Sequence, residues 1–477
     1  MSTTDDPDAP IESSVTPLST LASNFPKRGR HGVAALHQPL SVARAHPYTL
    51  LVLVMGLALR AILVPLAHGD DFTVWDLAAR YTLAGVNIYR DHPRYPGGPY
   101  AYFPLFLYVE LPFRWLALHT GLSFTVLGKA PIVAGDLLTG ILVARILARA
   151  GRGDAVVALG AALYLLNPLV LYNGAFYGRF DTLCAGLLLL ALIVHDQQLP
   201  GRVCEKSPKS LLAPSAPSGG TPGEGSPQTP TNHDRDGQTG VAVRQCTDPE
   251  LPGEAAGAPG RDGAPGKRAW AFPLLYAVAV ATKSYPVFLL PWLLAREPRG
   301  RGRLVAALAA VLGGLSAPYL LTSPRRFVAD ILLYDAHKTP GHLSWQVLLL
   351  DVLSPHVARL ASYLLLALFV LALYLYRRLD LWDYCTVSIL LFILLSKVVI
   401  EQYLLWPLPF LIIDALQKGS RASWGLLLLF SAAGMLVNAH IQPFGESPWP
   451  LALALATGIA LYLATLDRHR RRVADAS

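Results

Sequence analysis

HGDDFTVWDLAARYTLAGVNIYRDHPRYPGGPYAYFPL is the sequence of residues 68–105, and it follows directly on an apolar run, 47–67. About 20 helical residues cover the ~30 Å hydrocarbon core of a bilayer, so the run is long enough to cross a membrane. Two adjacent carboxylates, Asp70 and Asp71, and a third, Asp76, come just after it, followed by aromatic residues and prolines. Acids at the end of a first span, before an aromatic loop, indicate chemistry at the membrane surface.

The composition predicts an all-α polytopic membrane protein. The 477 residues are 53% hydrophobic and only 15% charged, whereas soluble domains are about 25% charged. The basic residues that give the net charge of +8 fall in short clusters beside apolar runs, which is the pattern of cytoplasmic helix ends rather than of a nucleic-acid surface. No nucleic-acid partner is therefore predicted. The four cysteines have neither pairing nor metal spacing, and we expect free thiols and no metal site built from them.

The apolar runs predict about 10–12 membrane helices in two modules, 47–195 and 269–467, with 68–104 as a large first outer loop. Residues 1–46 and 196–268 are polar and rich in Pro, Ser and Thr, so we predict a disordered cytoplasmic tail and a disordered cytoplasmic insertion. Residues 468–477 are a basic cytoplasmic tail. The predicted spans are, approximately, 48–67, 128–148, 155–172, 182–195, 269–282, 284–295, 304–321, 356–376, 382–399, 403–416, 422–438 and 449–466.

The segment 102–118 is apolar enough to be a further span. If it crossed the membrane, the basic cluster Arg145, Arg149 and Arg152 would lie outside, against the positive-inside pattern. We therefore keep it in the outer loop, as a surface or membrane-embedded helix, and the spanning alternative stays open.

In this topology the ionisable residues at helix ends converge on the outer face. Charged groups near membrane spans are costly and are functional candidates. A carboxylate there can take a proton from an acceptor hydroxyl, and cations can hold a phosphate as it leaves. The candidate catalytic residues are Asp71 and Asp70, and the candidate substrate-binding residues are Asp76, Arg179, Asp181, Lys283, Arg325, Arg326, His337, Lys338, Lys397 and Glu401.

Several short motifs follow one another in a recognisable order. Asp71-Phe72-Thr73-Val74-Trp75 comes first, and further motifs follow along the hydrophobic part of the chain: Tyr100-Ala101-Tyr102-Phe103-Pro104-Leu105, Lys129 with Asp136-Leu137-Leu138, Asn167-Pro168, Gly178-Arg179-Phe180-Asp181, Lys283-Ser284-Tyr285-Pro286, Ser396-Lys397-Val398 and Gln402-Tyr403-Leu404-Leu405-Trp406.

Together these motifs resemble the GT-C superfamily of multi-span glycosyltransferases, which use polyprenyl- or dolichyl-phosphate sugars as donors. Within it they are similar to the branch of the GPI-anchor first mannosyltransferase and its bacterial relatives. That branch has an Asp-x-Asp motif in its first outer loop, whereas this chain has Gly69-Asp70-Asp71 there. The departure leaves open which aspartate is the base and whether a divalent metal binds at Asp70 and Asp71; no other cofactor is expected.

The resemblance implies an inverting transfer of a sugar, mannose first among the candidates. Asp71 or Asp70 would be the general base, and polyprenyl phosphate would leave. The implied partners are a polyprenyl-phosphate-sugar donor, a lipid or glycan acceptor and membrane lipids. The expected location is a membrane, the plasma membrane in a bacterium or the endoplasmic reticulum in a eukaryote.

Simpler explanations stand beside these assignments. Acids favour solvated helix ends, Asp181 and Arg179 suit an interfacial ion pair, and Asp136 suits a structural bond between helices. Two other functions remain open, a transporter or flippase of lipid-linked sugars and a non-catalytic subunit of a glycosylation complex. Transporters typically show internal repeats and midplane sites. The chain has no visible half-to-half repeat and its acids lie at one face, which favours the enzyme.

Overall fold

The computed structural model describes residues 47–91, 100–198, 267–298, 300–332, 343–346, 354–439 and 449–475, and these contain helices and no strand. The predicted all-α fold is confirmed. The helices are α1 Pro47–Leu63, α2 Asp70–Leu83, α3 Leu105–Thr120, α4 Phe124–Gly128, α5 Ala130–Arg149, α6 Asp154–Leu165, α7 Pro168–Leu171, α8 Asp181–Gln198, α9 Ala271–Thr282, α10 Leu290–Arg296, α11 Arg301–Thr322, α12 Pro324–Leu332, α13 Pro355–Tyr376, α14 Leu381–Leu395, α15 Leu408–Lys418, α16 Arg421–Asn438 and α17 Trp449–Asp475.

The membrane-spanning character is confirmed within the described residues. Four helical segments are long and apolar enough to cross a bilayer: Phe124–Arg149, Arg301–Thr322, Arg421–Asn438 and Pro450–Asp467. A fifth crossing is possible if the bent pair of α6 with Pro168–Phe176 counts as one span. Shorter apolar helices, including α1 and α14, accompany them. On α1 and α13 many large apolar side chains are exposed, as expected for surfaces that contact lipid.

Two hydrophobic cores organise the chain. The larger one joins the apolar faces of α5, α6, α8, α9, α14, α15 and α16. The smaller one is aromatic and surrounds α2, with Phe72, Trp75, Tyr89, Tyr100, Phe106 and Phe180 buried in it. Helix α3, from the segment kept in the outer loop, packs against α2 and belongs to this smaller core. The described residues of the predicted first outer loop, 68–91 and 100–104, therefore pack into a hydrophobic core.

Helical residues continue into the regions predicted as the insertion and the C-terminal tail. Helix α8 continues to Gln198, and a short 3-10 helix begins at Lys267, so both edges of the predicted insertion are helical. Helix α17 continues to Asp475 through the predicted basic tail. Residues 1–46 and 199–266 lie outside the described residues.

The predicted third span is interrupted at Asn167-Pro168, where α6 ends. Proline cannot continue the helical hydrogen bonds, and the Asn167 side chain accepts a 3.0 Å bond from the Leu169 amide to start α7. A π-helical turn, Tyr172–Phe176, follows. Gly178 then has φ +86°, and a Cβ there would lie 2.8 Å from the Phe72 ring, so both conformation and space require glycine. This turn delivers Arg179 and Asp181 to the start of α8.

Candidate active site

Asp70 and Asp71 form the first turn of α2, where the helix dipole favours negative charge. Gly69 precedes them, and its amide donates a 2.9 Å hydrogen bond to the Tyr177 carbonyl. A Cβ on Gly69 would lie 1.9 Å from the Tyr177 ring, so only glycine allows this contact. The Asp70 side chain points to solvent, whereas the Asp71 side chain is 31% exposed. The two adjacent acids therefore differ in environment, and Asp71 is the one held by the protein.

Arg179 joins Asp71 to Glu401. Its Nε donates to Asp71 Oδ2 at 3.0 Å, and its Nη1 donates to Asn173 Oδ1 at 2.8 Å and also to Glu401 Oε1. The guanidinium also lies 4.6 Å from the centre of the Tyr177 ring. Burial by itself would lower the pKa of Arg179, but the carboxylates of Glu401 and Asp71 raise it above its ordinary value. The result is a permanently charged arginine between two carboxylates, which we call the Arg179 triad.

Asp181, two residues further on, forms a second polar centre. Its Oδ1 accepts a 2.6 Å bond from Lys283 Nζ and another, also 2.6 Å, from Trp406 Nε1. Asp181 is 2% exposed and the Lys283 side chain 9% exposed. The ion pair is therefore almost dehydrated, which strengthens its electrostatic attraction. It connects the turn before α8 with the segments that follow α9 and α14.

Aromatic rings surround the Lys283 ammonium. Its Nζ lies between 5.4 and 6.0 Å from the ring centres of Tyr102, Phe180, Tyr403 and Trp406. A cation at this range is attracted by the negative faces of the rings. Tyr285 stacks on Trp406 with 4.4 Å between ring centres. This arrangement puts an aromatic wall and a cation together, features that suit a sugar ring attached to a phosphate.

The short described stretch 343–346 contacts the end of α14 and the segment 396–400, which precedes Glu401. The Trp345 Nε1 donates to the Leu394 carbonyl at 2.7 Å, and the Ser344 hydroxyl donates to the Ser396 carbonyl at 3.0 Å. Lys397 lies in this segment and is half-buried. The 3-10 helix Glu401–Leu405 then places Glu401 and Trp406 against the turn that carries Arg179 and Asp181.

The other predicted site residues lie elsewhere or outside the described residues. Asp76 pairs with Arg80 at 2.8 Å and with Arg114 at 3.1 Å, because five residues along a helix turn it ~140° away from Asp71. Arg325 and Arg326 are exposed on α12, and Arg326 donates to the Arg90 carbonyl. His337 and Lys338 lie outside the described residues.

Among the described residues, four further acidic or basic residues, none of them predicted as a site residue, are fully buried: Arg60, Glu110, Lys129 and Asp136. Lys129, noted only within a motif, is fully buried, and Arg60 on α1 forms a 2.8 Å ion pair with Asp136 on α5. The signal for the Arg60–Asp136 pair was present, since opposite charges lie within two apolar runs. Glu110 on α3 is also buried, and neither carboxyl oxygen has a hydrogen-bond partner among the described residues. Burial, with a smaller contribution from Asp76, raises the pKa of Glu110 well above its ordinary value.

The described residues contain no group of three or more His, Cys, Asp or Glu side chains placed to hold a metal ion. A metal at Asp70 and Asp71 stays a prediction, and Asp71 already has Arg179 as its counter-ion. Cys184 and Cys385 are free and buried, as the cysteine spacing predicts.

The chain is similar to two curated proteins called GPI mannosyltransferase 1. The protein from Gibberella zeae is 33% identical over 122 residues, which cover 25% of each chain. The protein from Eremothecium gossypii is 32% identical over 124 residues, 26% of this chain and 27% of that one. The resemblance predicted from the motifs is thereby confirmed, although the matched part spans only about a quarter of these relatives.

Among solved structures, the chain is similar to ArnT from Cupriavidus metallidurans. The apo structure gives a TM-score of 0.45 with 14% identity, covering 87% of this chain and 75% of that one. The structure of the same protein bound to undecaprenyl phosphate gives a TM-score of 0.45 with 13% identity, covering 87% and 76%. No protein-family model matches the chain.

Proposed function

We propose that this protein is an integral-membrane glycosyltransferase. It moves a sugar, mannose first among the candidates, from a polyprenyl-phosphate donor to a hydroxyl of a lipid-linked or glycan acceptor at the extracytoplasmic face. The observation that carries the proposal is the Asp71 carboxylate, partly exposed in the first turn of α2, after the apolar helix α1, and held by Arg179. The similarity to GPI mannosyltransferase 1 supports the sugar and the class of reaction.

The Arg179 triad suits Asp71 to act as a general base. Arg179 holds Asp71 Oδ2, which leaves the Oδ1 lone pairs for a hydroxyl of the acceptor. Asp71 takes the hydroxyl proton as the oxygen attacks C1 of the sugar. The bond between C1 and the phosphate oxygen breaks, and polyprenyl phosphate leaves with the electron pair. Attack opposite the leaving group inverts the configuration at C1.

Lys283 suits the donor phosphate. An ammonium group has three N–H donors, and the bond to Asp181 uses one of them, so two remain for phosphate oxygens. Tyr102 and Trp406, close to the ammonium, supply flat apolar faces for the sugar ring. Asp71 and Lys283 would then act at the two sides of the bond that breaks.

The test is transfer from radiolabelled polyprenyl-phosphate-mannose in membranes that express the wild type, Asp70→Asn, Asp71→Asn or the double variant. Loss of a general base costs about 10²–10⁴-fold in rate, so Asp71→Asn should lose nearly all transfer and Asp70→Asn should keep most of it. Asp154→Asn is the matched control, because Asp154 is also in the first turn of a helix, α6, at the predicted cytoplasmic side. Repeating the assay with EDTA tests the predicted metal.

Equal transfer by the wild type and all three aspartate variants would reject a catalytic role for the first outer loop. Absence of transfer by folded wild type, with glucose and arabinose donors also inactive, would reject the enzyme and favour the transporter or the non-catalytic subunit. Loss of transfer in Asp70→Asn instead of Asp71→Asn would assign the base to the exposed aspartate.

A further inference from the structure

Lys129, between α4 and α5, has an unusual environment for a cation. Its side chain is fully buried, and its Nζ donates to four backbone carbonyls, those of Val64 at 2.9 Å, Ala175 at 3.0 Å, Phe176 at 2.7 Å and Ala67. The ammonium also lies 5.9 Å from the centre of the Phe72 ring. Among the described residues no carboxylate forms an ion pair with it.

A buried charge without a counter-ion is costly, and the structure compensates it with carbonyl dipoles. The ammonium has three N–H groups and four acceptors around it, so its donors are fully used inside the protein. No donor is left for a substrate, which separates Lys129 from Lys283. Whatever Lys129 contributes to function must therefore act through the backbone that it holds.

The four carbonyls belong to the two connecting segments that precede Asp71 and Arg179. Val64 and Ala67 lie between the end of α1 and Asp70-Asp71, and Ala175 and Phe176 end the π-helical turn just before Arg179. One side chain thus binds the backbone seven and four residues before Asp71, and four and three residues before Arg179. The hydrogen bond between the Gly69 amide and the Tyr177 carbonyl joins the same two segments, one step nearer the pair.

The tight fit around Gly178 is consistent with this arrangement. A Cβ on Gly178 would lie 3.1 Å from Lys129 Cε, so the turn before Arg179 packs directly on the lysine stem. The stem and the ammonium of Lys129 together fix the position of the turn before Arg179 relative to the start of α2.

We propose that Lys129 is a positioning residue that sets the distance between Asp71 and Arg179 by binding the two backbone segments that carry them. The expected effect of Lys129 on the transfer rate rests on the proposed function. The expected effect on the two backbone segments does not. A displacement of about 1 Å at a reacting group costs on the order of 10²-fold in rate. Because Lys129 donates to no substrate, its loss should lower kcat and leave the KM for the donor nearly unchanged.

The experiment compares Lys129→Met, which keeps the length of the stem and removes the charge and donors, with the wild type. Hydrogen exchange of backbone amides in detergent should become faster in 64–73 and 172–181, while α16, Arg421–Asn438, is unchanged. Transfer should show a kcat lower by roughly 10- to 100-fold and a donor KM within about 3-fold of the wild type. Lys283→Met is the comparison for a substrate contact and should raise the donor KM. Lys418→Met, on an exposed lysine, is the control for loss of a positive charge.

Several outcomes would overturn the proposal: unchanged exchange in the two segments, faster exchange spread over the whole bundle, an unchanged kcat, or a raised donor KM. If Lys129→Met does not survive purification, Lys129→Gln, which keeps amide donors, is compared in the same way. If wild-type protein transfers no sugar, the proposed function fails, and the exchange measurement still decides whether Lys129 binds the two segments together.

Discussion

The Arg60–Asp136 pair and the Arg179 triad both join an arginine to carboxylates, and they differ in their access to solvent. The side chains of Arg60 and Asp136 are both 0% exposed, and Arg60 Nη1 also donates at 2.9 Å to the carbonyls of Gly56 and Leu165. In the Arg179 triad the arginine is 10% exposed and Asp71 is 31% exposed. The first cluster is closed on all sides, whereas the second has one carboxylate that another molecule can reach.

The packing explains why the first cluster is closed. A Cβ on Gly140 would lie 2.5 Å from Leu165, and one on Gly56 would lie 3.2 Å from it, so glycines let α1, α5 and α6 approach closely around Arg60. Glycine contacts at Gly69 and Gly178 hold the backbone near Asp71 just as closely, but the Asp71 side chain projects from the first turn of α2 and stays 31% exposed. The same chemical pair therefore joins helices in one place and presents a base in the other.

The largest expected effect is the loss of stability when the Arg60–Asp136 pair is broken. Arg60→Met leaves a buried, unpaired Asp136 and should lower the free energy of unfolding by about 3–5 kcal/mol. Arg60→Met with Asp136→Asn removes both charges and should recover at least half of that loss. Thermal unfolding in detergent measures both variants. A single variant as stable as the wild type would mean that the closed pair does not hold the helices.

The next largest effect is expected on the transfer rate, when members of the Arg179 triad are changed. Arg179→Gln removes the group that orients Asp71 and should lower transfer by about 10²-fold or more. Glu401→Gln keeps an oxygen that accepts from Arg179 and should lower transfer by only about 10-fold, with an unchanged melting temperature. Initial rates and melting temperatures of the two variants test this. Equal rates for both would argue against a role for Arg179 in positioning the base.

Glu110 extends the comparison to a buried carboxyl without a partner. Because burial raises its pKa in the folded state above the ordinary 4.5, the folded protein binds more protons there than the unfolded chain. Between the pKa of Glu110 in the unfolded chain and its higher pKa in the folded protein, the free energy of unfolding therefore falls by about 1.4 kcal/mol per pH unit. Glu110→Gln should melt higher than the wild type by a margin that grows as the pH rises above the ordinary value of 4.5. A margin independent of pH would contradict it.

The smallest effect is expected for an exposed cluster at the predicted cytoplasmic side. Lys418 bridges Asp383 at 2.5 Å and Asp414 at 2.9 Å, but its side chain is 50% exposed. Exposed ion pairs contribute about 0–1 kcal/mol, so Lys418→Ala should change neither the melting temperature by more than a few degrees nor the transfer rate. A large loss of stability would show that exposure to solvent does not determine how much each charged cluster contributes to stability.

The apolar runs predict the membrane helices closely, because hydrophobic length is a local property. The predicted spans 128–148 and 304–321 compare with Ala130–Arg149 and Arg301–Thr322. The predicted outer-face residues Asp71, Arg179 and Glu401 do come together. Their pairing was not predictable, because Glu401 meets Arg179 across 222 residues of sequence and only helix packing decides that contact.

Other predicted site residues lie away from the candidate site because of the helices that carry them. Arg325 and Arg326 follow the end of α11 on a short amphipathic helix whose Phe327 is buried beside Tyr89. Both arginines stay exposed, and Arg326 donates to the Arg90 carbonyl rather than to the candidate site. The carbonyl environment of Lys129 also has no sequence signal, since its acceptors are backbone atoms of residues with apolar side chains.

The turn that carries Arg179 and Asp181 touches Glu401 and Trp406, which come from the far end of the chain. Asp71 and Arg179 belong to residues 47–198, whereas Lys283, Glu401 and Trp406 belong to residues 267–439. Neither half contains a complete set of groups. Under the proposed function, we therefore expect transfer only where these two parts of the chain meet, and a change that separates them without damage to either should abolish it.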